Sequence, residues 1–141
     1  MAGAYDFRKP LPLLVRELAP LGTLFDVDPE VLNVSPASSG LVLVDYRQDP
    51  GAAASRALMR VILIAEDGQF YDFSLEDGTI TATADGFRTD VDTWVHRFPA
   101  RTGLWTYTLD LRAAKNLFIV FAEAGQGATP GELGAKLLLR F

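Results

Sequence analysis

The chain offers few of the side chains that enzymes use to make or break bonds. It has no cysteine, which excludes a thiolate nucleophile, a cysteine zinc site and a disulfide scaffold, and its one histidine is His96. A Ser-His-Asp triad would need a serine activated by that histidine. No Gly-x-Ser-x-Gly turn is present, and Ser35, Ser38 and Ser39 lie in a loop rich in Pro, Ser and Gly. The sequence therefore predicts no catalytic residue and a protein that is not an enzyme.

Two Asp-x-Asp pairs could contribute to a cation site. Asp26 with Asp28, and Asp90 with Asp92, would each place two carboxylates on one face of an extended strand. Calcium takes about six to eight oxygen ligands, and no Asp-x-Asp-x-Asp-Gly loop or similar ligand series is present. We interpret both pairs as solvated strand ends and turn caps, and we expect neither a metal nor another cofactor. A metal-dependent enzyme or small hydrolase is the least favoured of three candidate functions, after the two that are given at the end of this section.

An aromatic triplet is the remaining candidate binding feature. Trp94, His96 and Phe98 alternate along the chain, so in a strand they share one face. That face is either buried in the core or exposed. If it is exposed, the rings would anchor another protein or stack on the sugar rings of a carbohydrate.

The composition limits the partners and the location. The 141 residues suit one domain, and the net charge of −5 comes without a stripe of Lys or Arg, so we expect no nucleic-acid partner. Neither a basic-then-apolar leader nor an 18-residue apolar run is present, so we expect no signal peptide, no membrane span and no membrane partner. The expected location is the cytoplasm or a particle such as a virion. Apolar residues make up 49% of the chain, which indicates either a tight core or apolar surface that closes against another subunit.

The elements that must position these residues are β-strands. Asp-Gly pairs at Asp67-Gly68, Asp77-Gly78 and Asp85-Gly86 are the strongest short-range signal for hairpin turns, although the third could instead be a bend between sheets. With the first two pairs centred in two-residue turns, Ile64 lies opposite Tyr71 and Phe73 lies opposite Ala82. The apolar face predicted for this meander then contains Ile62, Ile64, Tyr71, Phe73, Leu75, Ile80, Ala82 and Ala84.

A second hairpin is predicted from residues 91–98 and 104–111, with Phe98 opposite Leu104. This pairing assigns Val91, Val95, Trp105, Tyr107, Leu109 and Leu111 to the core face, and it places the aromatic triplet on the other face. It also sets Asp92 across from Asp110. Further strands are expected at 40–46, where both faces are apolar as in a strand buried on both sides, and at 116–123 and 134–141.

These strands predict an all-β fold: a single antiparallel β-sandwich or jelly-roll-like barrel of eight to ten strands, over residues 39–141. Residues 1–38 hold five of the eight prolines and are predicted to form an extended arm with a short strand at 31–34. A helical turn or two at 13–19 is an alternative for part of the arm. Because its apolar residues Leu11, Leu13 and Leu14 would be unfavourable in water, we expect the arm to pack on its own domain or on a neighbouring subunit.

The sequence favours a structural or protein-interaction subunit that associates with itself or with other subunits of an assembly. A viral or phage particle component, for capsid decoration or the tail, fits this profile by analogy of fold. The predicted contact residues are the arm leucines Leu11, Leu13 and Leu14 and the triplet Trp94, His96 and Phe98. The alternative is a carbohydrate-binding β-sandwich module that uses exposed aromatic side chains.

Overall fold

A computed structural model of the chain describes residues 11–26, 28–73, 75, 82–83, 86–87 and 94–141. The strands, in chain order, are β1 (Leu11–Pro20), β2 (Leu32–Asn33), β3 (Ser39–Arg47), β4 (Arg56–Ile64), β5 (Phe70–Asp72), β6 (Ala82–Thr83), β7 (Gly86–Phe87), β8 (His96–Arg97), β9 (Gly103–Asp110), β10 (Asn116–Ala124) and β11 (Glu132–Arg140).

The strands form two facing antiparallel sheets. Sheet A has the order β1-β11-β3-β9, and sheet B has the order β2-β10-β4-β5, with β8 pairing beside β5 along the same edge of β4. Strands β6 and β7 pair only with each other. From β1 to β4, and again from β9 to β11, each strand lies in the sheet opposite to the strand before it. This is the strand order of a jelly roll, so the prediction of an all-β sandwich with jelly-roll-like connections is confirmed.

The core lies between the two sheets and follows the two-residue repeat of a strand. On β3 and β11 every second side chain is buried, and the intervening ones point away from sheet B. Sheet B contributes Ala57, Met59 and Val61 from β4 and Leu117, Ile119 and Phe121 from β10. Burying such side chains contributes about 1.5–3 kcal/mol each, which makes this layer the main stabilising contact of the fold.

The predicted meander register is wrong by one residue. Ala65 donates its backbone N–H to the Gln69 carbonyl, and Gly68 donates to the Ala65 carbonyl, each at 2.9 Å. These bonds close a three-residue loop in which Gly68 adopts a φ of 83°, a conformation that costs glycine little. The extra loop residue pairs Ile64 with Phe70, whereas the two-residue turn would pair it with Tyr71.

That shift changes the face on which each side chain lies. Val61 points into the core, so Ile62 and Ile64 point outward, contrary to the prediction. Tyr71 is more than half exposed, whereas Phe73 packs against the core and Leu75 is buried as predicted. Gly86, which the third Asp-Gly signal assigns to a turn, lies in β7 opposite Thr83. Ile80, Ala84 and the second Asp-Gly pair lie outside the described residues, and so do the side chains of Ala82 and its neighbours in β6 and β7.

The predicted second hairpin is also wrong. Strand β8 pairs with β4 in sheet B, whereas β9 pairs with β3 in sheet A, so the segment between them crosses the sandwich. A loop of this length can span the roughly 10 Å between facing sheets as easily as it can close a hairpin. On β9, Trp105, Tyr107 and Leu109 face the core as predicted. Phe98, which the prediction placed opposite Leu104 and away from the core, is fully buried.

The described part of the N-terminal segment lies on its own domain. Strand β1 pairs antiparallel with β11 as an edge strand of sheet A, so the alternative of a helical turn at 13–19 is wrong. The short strand expected at 31–34 is β2, which pairs with the start of β10. Between them, Gly22 accepts a hydrogen bond from the Glu123 backbone N–H at 2.9 Å, which holds the chain against β10.

Candidate interaction surface on sheet A

The side of sheet A that points away from the core carries exposed leucines, and we call this side the A face. The outward side chains fall into rows across the strands because paired residues lie side by side. One row contains Gly134 of β11, Asp45 of β3 and Leu104 of β9, and the next row contains Lys136, Leu43 and Thr106. Leu104 is 81% exposed, and Leu14 and Leu18 of β1 are 51% and 39% exposed. Leucines this exposed on one sheet face are typical of a contact surface.

A bulge in β1 raises one side of the A face. The pairing of β1 with β11 shifts register on both sides of Arg16. The Arg16 guanidinium donates to the carbonyls of Leu133, Ala19 (2.9 Å) and Pro20 (2.8 Å), which fixes the bulged backbone. The backbone of Leu18 then passes so close over Gly134 that a Cβ at this glycine would lie 3.2 Å from the Leu18 nitrogen. The absence of a side chain at Gly134 lets the bulged backbone of β1 come this close, and the bulge forms a raised wall along one side of the A face.

The result is a shallow hollow of about 500 Å³ on the A face. Its residues come from all four strands of sheet A: Leu14, Arg16, Glu17, Leu18, Leu43, Val44, Asp45, Leu104, Trp105, Thr106, Gly134, Ala135 and Lys136. A second hollow of about 290 Å³ continues along the same face, at Ser39, Gly40, Leu41, Thr108, Leu138 and Arg140. The A face is therefore a contoured, largely apolar surface with a few charged groups.

Two of those charged groups have no ion-pair partner among the described residues. Lys136 lies in the second row, and Glu17 lies in the bulge; both side chains are exposed. Asp45 is half-exposed and lies 3.3 Å from Arg47, a surface pair that contributes little to stability. The hollow thus combines an apolar floor with one free cation and free or weakly paired carboxylates.

Only one of the three predicted arm leucines belongs to this surface. Leu14 lies on the A face beside Lys136, whereas Leu11 and Leu13 are half-buried and pack against the core. Sequence reasoning missed Leu18, Leu43 and Leu104. The available signal was the segment 40–46, which is apolar on both faces. This pattern predicts a strand buried on both sides, but Leu41 and Leu43 are partly exposed.

The aromatic triplet does not form one surface. Phe98 is part of the core, and the His96 ring packs at 4.6 Å from Phe98 and 4.5 Å from Tyr107, centre to centre. Trp94 is 38% exposed. Of the two alternatives left open for this triplet, Phe98 takes the buried one, because the chain crosses between the sheets just after it. Trp94 remains a predicted contact residue.

A buried cluster of polar side chains closes one end of the sandwich. Glu123 of β10 accepts hydrogen bonds from the Tyr46 hydroxyl, from Gln126 Nε2 at 2.8 Å and from the Gly131 N–H at 2.9 Å. The Ser55 hydroxyl lies 3.1 Å from the Tyr46 oxygen and donates to the Ala52 carbonyl at 2.8 Å. Tyr46, Ser55 and Glu123 are almost completely buried. Burial, and then the hydrogen bond to Glu123, raise the pKa of Tyr46 to about 12.

This cluster resembles catalytic chemistry only in its residue types. Each group is enclosed by protein, and no hollow described above includes Tyr46, Ser55 or Glu123. The hydrogen bonds link β3, β10 and the loop before β11. Gln126 also donates to the Leu21 carbonyl at 2.8 Å, which adds the end of the N-terminal segment. The cluster therefore fixes the positions of chain segments relative to one another.

Asp26, from the first Asp-x-Asp pair, and Asp110, the predicted neighbour of Asp92, have protein partners. The Asp26 carboxylate accepts from the Phe121 N–H at 3.2 Å and lies 3.8 Å from Arg16 Nε. Hydrogen bonds from Arg112 lower the pKa of Asp110 to about 2, and Asp92, its predicted neighbour, lies outside the described residues. Over the ranges that the structure describes, His, Asp and Glu do not gather in threes in a way that could hold a metal ion. In those ranges no helix has the length and apolar character to cross a membrane.

The fold and surface define the class: an all-β, jelly-roll sandwich with an apolar outer face on one sheet. No family model matches the chain, and no curated protein matches it. Among solved structures, the chain is similar to the SPBc2 prophage-derived protein YomS, with a TM-score of 0.48 and 12% sequence identity. The similarity covers 92% of this chain and 92% of that one.

Proposed function

We propose that this protein is a non-enzymatic structural subunit that assembles with copies of itself. The observation that carries the proposal is the A face, where Leu14, Leu18 and Leu104 are exposed around a hollow of about 500 Å³. Exposing apolar side chains to water raises the free energy, and covering them with another protein lowers it.

A particle is the setting we propose for this assembly, in the form of a viral or phage capsid-decorating or tail component. The jelly-roll order supports this setting because capsid domains use it. Lectins and cupins use the same order, so the fold is the weaker support and the A face is the stronger one. The net charge of −5 favours protein partners over nucleic acid.

Size-exclusion chromatography with light scattering tests self-association directly. We expect a particle whose mass is a whole multiple of the 15.4 kDa chain. The Leu104→Asp variant should shift that mass to the single chain, because it puts a charge at the most exposed of the A-face leucines.

Leu24→Asp is the matched control, because Leu24 is 78% exposed but lies in the segment that runs beside β10 of sheet B. This control should keep the wild-type mass. A wild-type protein that stays monomeric at all concentrations would remove the proposed function. Equal dissociation by both variants would remove the A face from it.

Carbohydrate binding is the second candidate function, and exposed aromatic side chains favour it. Phe70 and Tyr71 on β5 are more than half exposed, and Trp94 is 38% exposed. Rings of this kind offer flat apolar faces with polar edges, which suits stacking on sugar rings.

Retention on immobilised polysaccharide tests this second candidate. Trp94→Ala should abolish retention while leaving the thermal unfolding midpoint unchanged, because the ring is partly outside the core. Tyr71→Ala on β5 shows whether a second exposed ring contributes. Wild-type protein that is not retained would eliminate the candidate, and undiminished retention of Trp94→Ala would remove Trp94 from the role.

A further inference from the structure

The A face is self-complementary in both shape and charge. Gly134, in one row, lines the hollow beside the Leu18 backbone and contributes no side chain to it, and Lys136 projects from the next row on the same strand. Glu17 of the β1 bulge and Asp45 of β3 line the same hollow. The hollow thus has the shape and the charge to receive a lysine, and the same face carries one.

We infer that two copies of this chain pair through their A faces about a two-fold axis, with Lys136 of each copy entering the hollow that Gly134, Glu17 and Asp45 of the other copy line. This inference rests on the proposed function and names the geometry of its contact. The axis runs across the strands, midway between the row of Gly134 and the row of Lys136. Rows in a strand repeat about every 7 Å, so each row of one copy then lies on the neighbouring row of the other.

This arrangement gives ion-pair partners to the charged groups that have none within the described part of the single chain. The methylene stem of Lys136 lies on the apolar floor, and its ammonium group reaches Glu17 and Asp45 of the second copy. Symmetry forms the same contact twice. The exposed leucines are covered too, because Leu18 meets Leu14 of the second copy and Leu104 meets the row of Leu43 and Thr106.

The face is large enough for a stable contact. Four strands spaced about 4.8 Å apart, each eight to ten residues long, present roughly 19 Å by 30 Å before side-chain relief is counted. A standard interface buries about 800 Å² of accessible surface per partner, which is comparable. Two sheets that pack face to face with aligned strands are also a common arrangement inside β-sandwiches.

Charge reversal on the two sides of the contact gives a specific test. Lys136→Glu places an anion against Glu17 and Asp45, and the double variant Glu17→Lys/Asp45→Lys places two cations against Lys136. Each variant alone should dimerise at least about tenfold more weakly than the wild type, measured by sedimentation equilibrium. Mixed in equal amounts, the two variants should recover dimers of near wild-type strength, because both contacts of the mixed pair are then between opposite charges.

The mixture also guards against a variant that merely fails to fold, since a misfolded chain would not regain dimerisation. Lys115→Glu, the same change on an exposed side chain before β10, should leave dimerisation unchanged. A wild-type trimer or larger ring, a Lys136→Glu variant that dimerises normally, or a mixture that stays monomeric would each overturn the two-fold pairing. If Leu104→Asp still dissociates a wild-type oligomer in these cases, the proposed function stands. A wild-type monomer at every concentration overturns both.

Discussion

Two regions of this molecule reverse the usual distribution of polar and apolar side chains. The cluster around Glu123 buries a carboxyl group, a phenol and a serine hydroxyl inside the sandwich, whereas the A face exposes leucines to water. Both arrangements cost free energy when they are left incomplete. They differ in what offsets this cost. The polar groups of the cluster find hydrogen-bond partners within the chain, whereas no part of the chain that the structure describes covers the leucines of the A face.

This difference separates residues that maintain the fold from residues available for function. Glu123 accepts three hydrogen bonds, one from β3 and two from the loop before β11, so its contacts are complete before any partner arrives. Lys136 and Glu17, in the part of the chain that the structure describes, have no ion-pair partner. We therefore expect changes in the cluster to lower stability, and changes on the A face to lower association with stability retained.

The largest effect on stability is expected for Glu123→Ala. The substitution leaves the Gly131 N–H buried without its acceptor, which costs about 1–3 kcal/mol, and it removes the hydrogen bonds from the Tyr46 hydroxyl and from Gln126 Nε2 as well. With the cavity added, the free energy of unfolding should fall by about 4 kcal/mol, measured by urea unfolding. Glu132→Ala, on an exposed position of β11, is the matched control and should change it by less than about 0.5 kcal/mol. Equal effects of the two substitutions would contradict a structural role for the cluster.

The same substitution, leucine to alanine, can be made at a buried and at an exposed position of sheet A, which compares the core with the A face directly. Leu137 points into the core and is fully buried, whereas Leu104 points outward and is the most exposed of the A-face leucines. Leu137→Ala should lower the free energy of unfolding by about 3 kcal/mol, because it opens a cavity. Leu104→Ala should change the stability of the separated chain little, and it should weaken the oligomer. Unfolding at several protein concentrations distinguishes the two effects, since only an oligomer has a concentration-dependent midpoint. A concentration-independent midpoint for the wild type would count against the oligomer.

The sequence predicts the fold class because hydrophobic alternation and turn residues are local signals. The last strand, with its buried Leu137 and Leu139, is predicted directly by the alternation of side chains with a period of two residues. Register and sheet assignment depend on more than local signals. One additional residue in the loop at Gly68 reversed the predicted faces of Ile62 and Ile64, and the segment after Phe98 crosses to the other sheet where a hairpin was expected.

The candidate surface was harder to predict for the same reason. Leu14 was among the predicted contact residues, but Leu18 and Leu104 come together with it only when β1 and β9 occupy opposite edges of one sheet. The bulge that raises Leu18 over Gly134 is a tertiary feature. It is fixed by hydrogen bonds from Arg16 to the Leu133 carbonyl of β11 and to two carbonyls of β1 itself. The apolar pattern at 40–46 indicated that both sides of β3 avoid water, and only the structure shows which side the chain leaves open.

The smallest effect is expected at Tyr46, and it depends on pH. Tyr46→Phe leaves one Glu123 oxygen without its donor and should cost about 2 kcal/mol at neutral pH. The pKa of Tyr46 is raised to about 12, above the ordinary value of about 10, so the folded chain holds this proton more tightly than the unfolded chain does. Its contribution is complete below about pH 10 and is lost as the pH rises towards 12. The difference between the wild type and Tyr46→Phe in urea unfolding should therefore shrink over that range. Tyr71→Phe, which removes an exposed hydroxyl, is the control and should leave the stability at neutral pH unchanged. A wild-type advantage that persists undiminished near pH 12 would contradict the role assigned to the buried phenol.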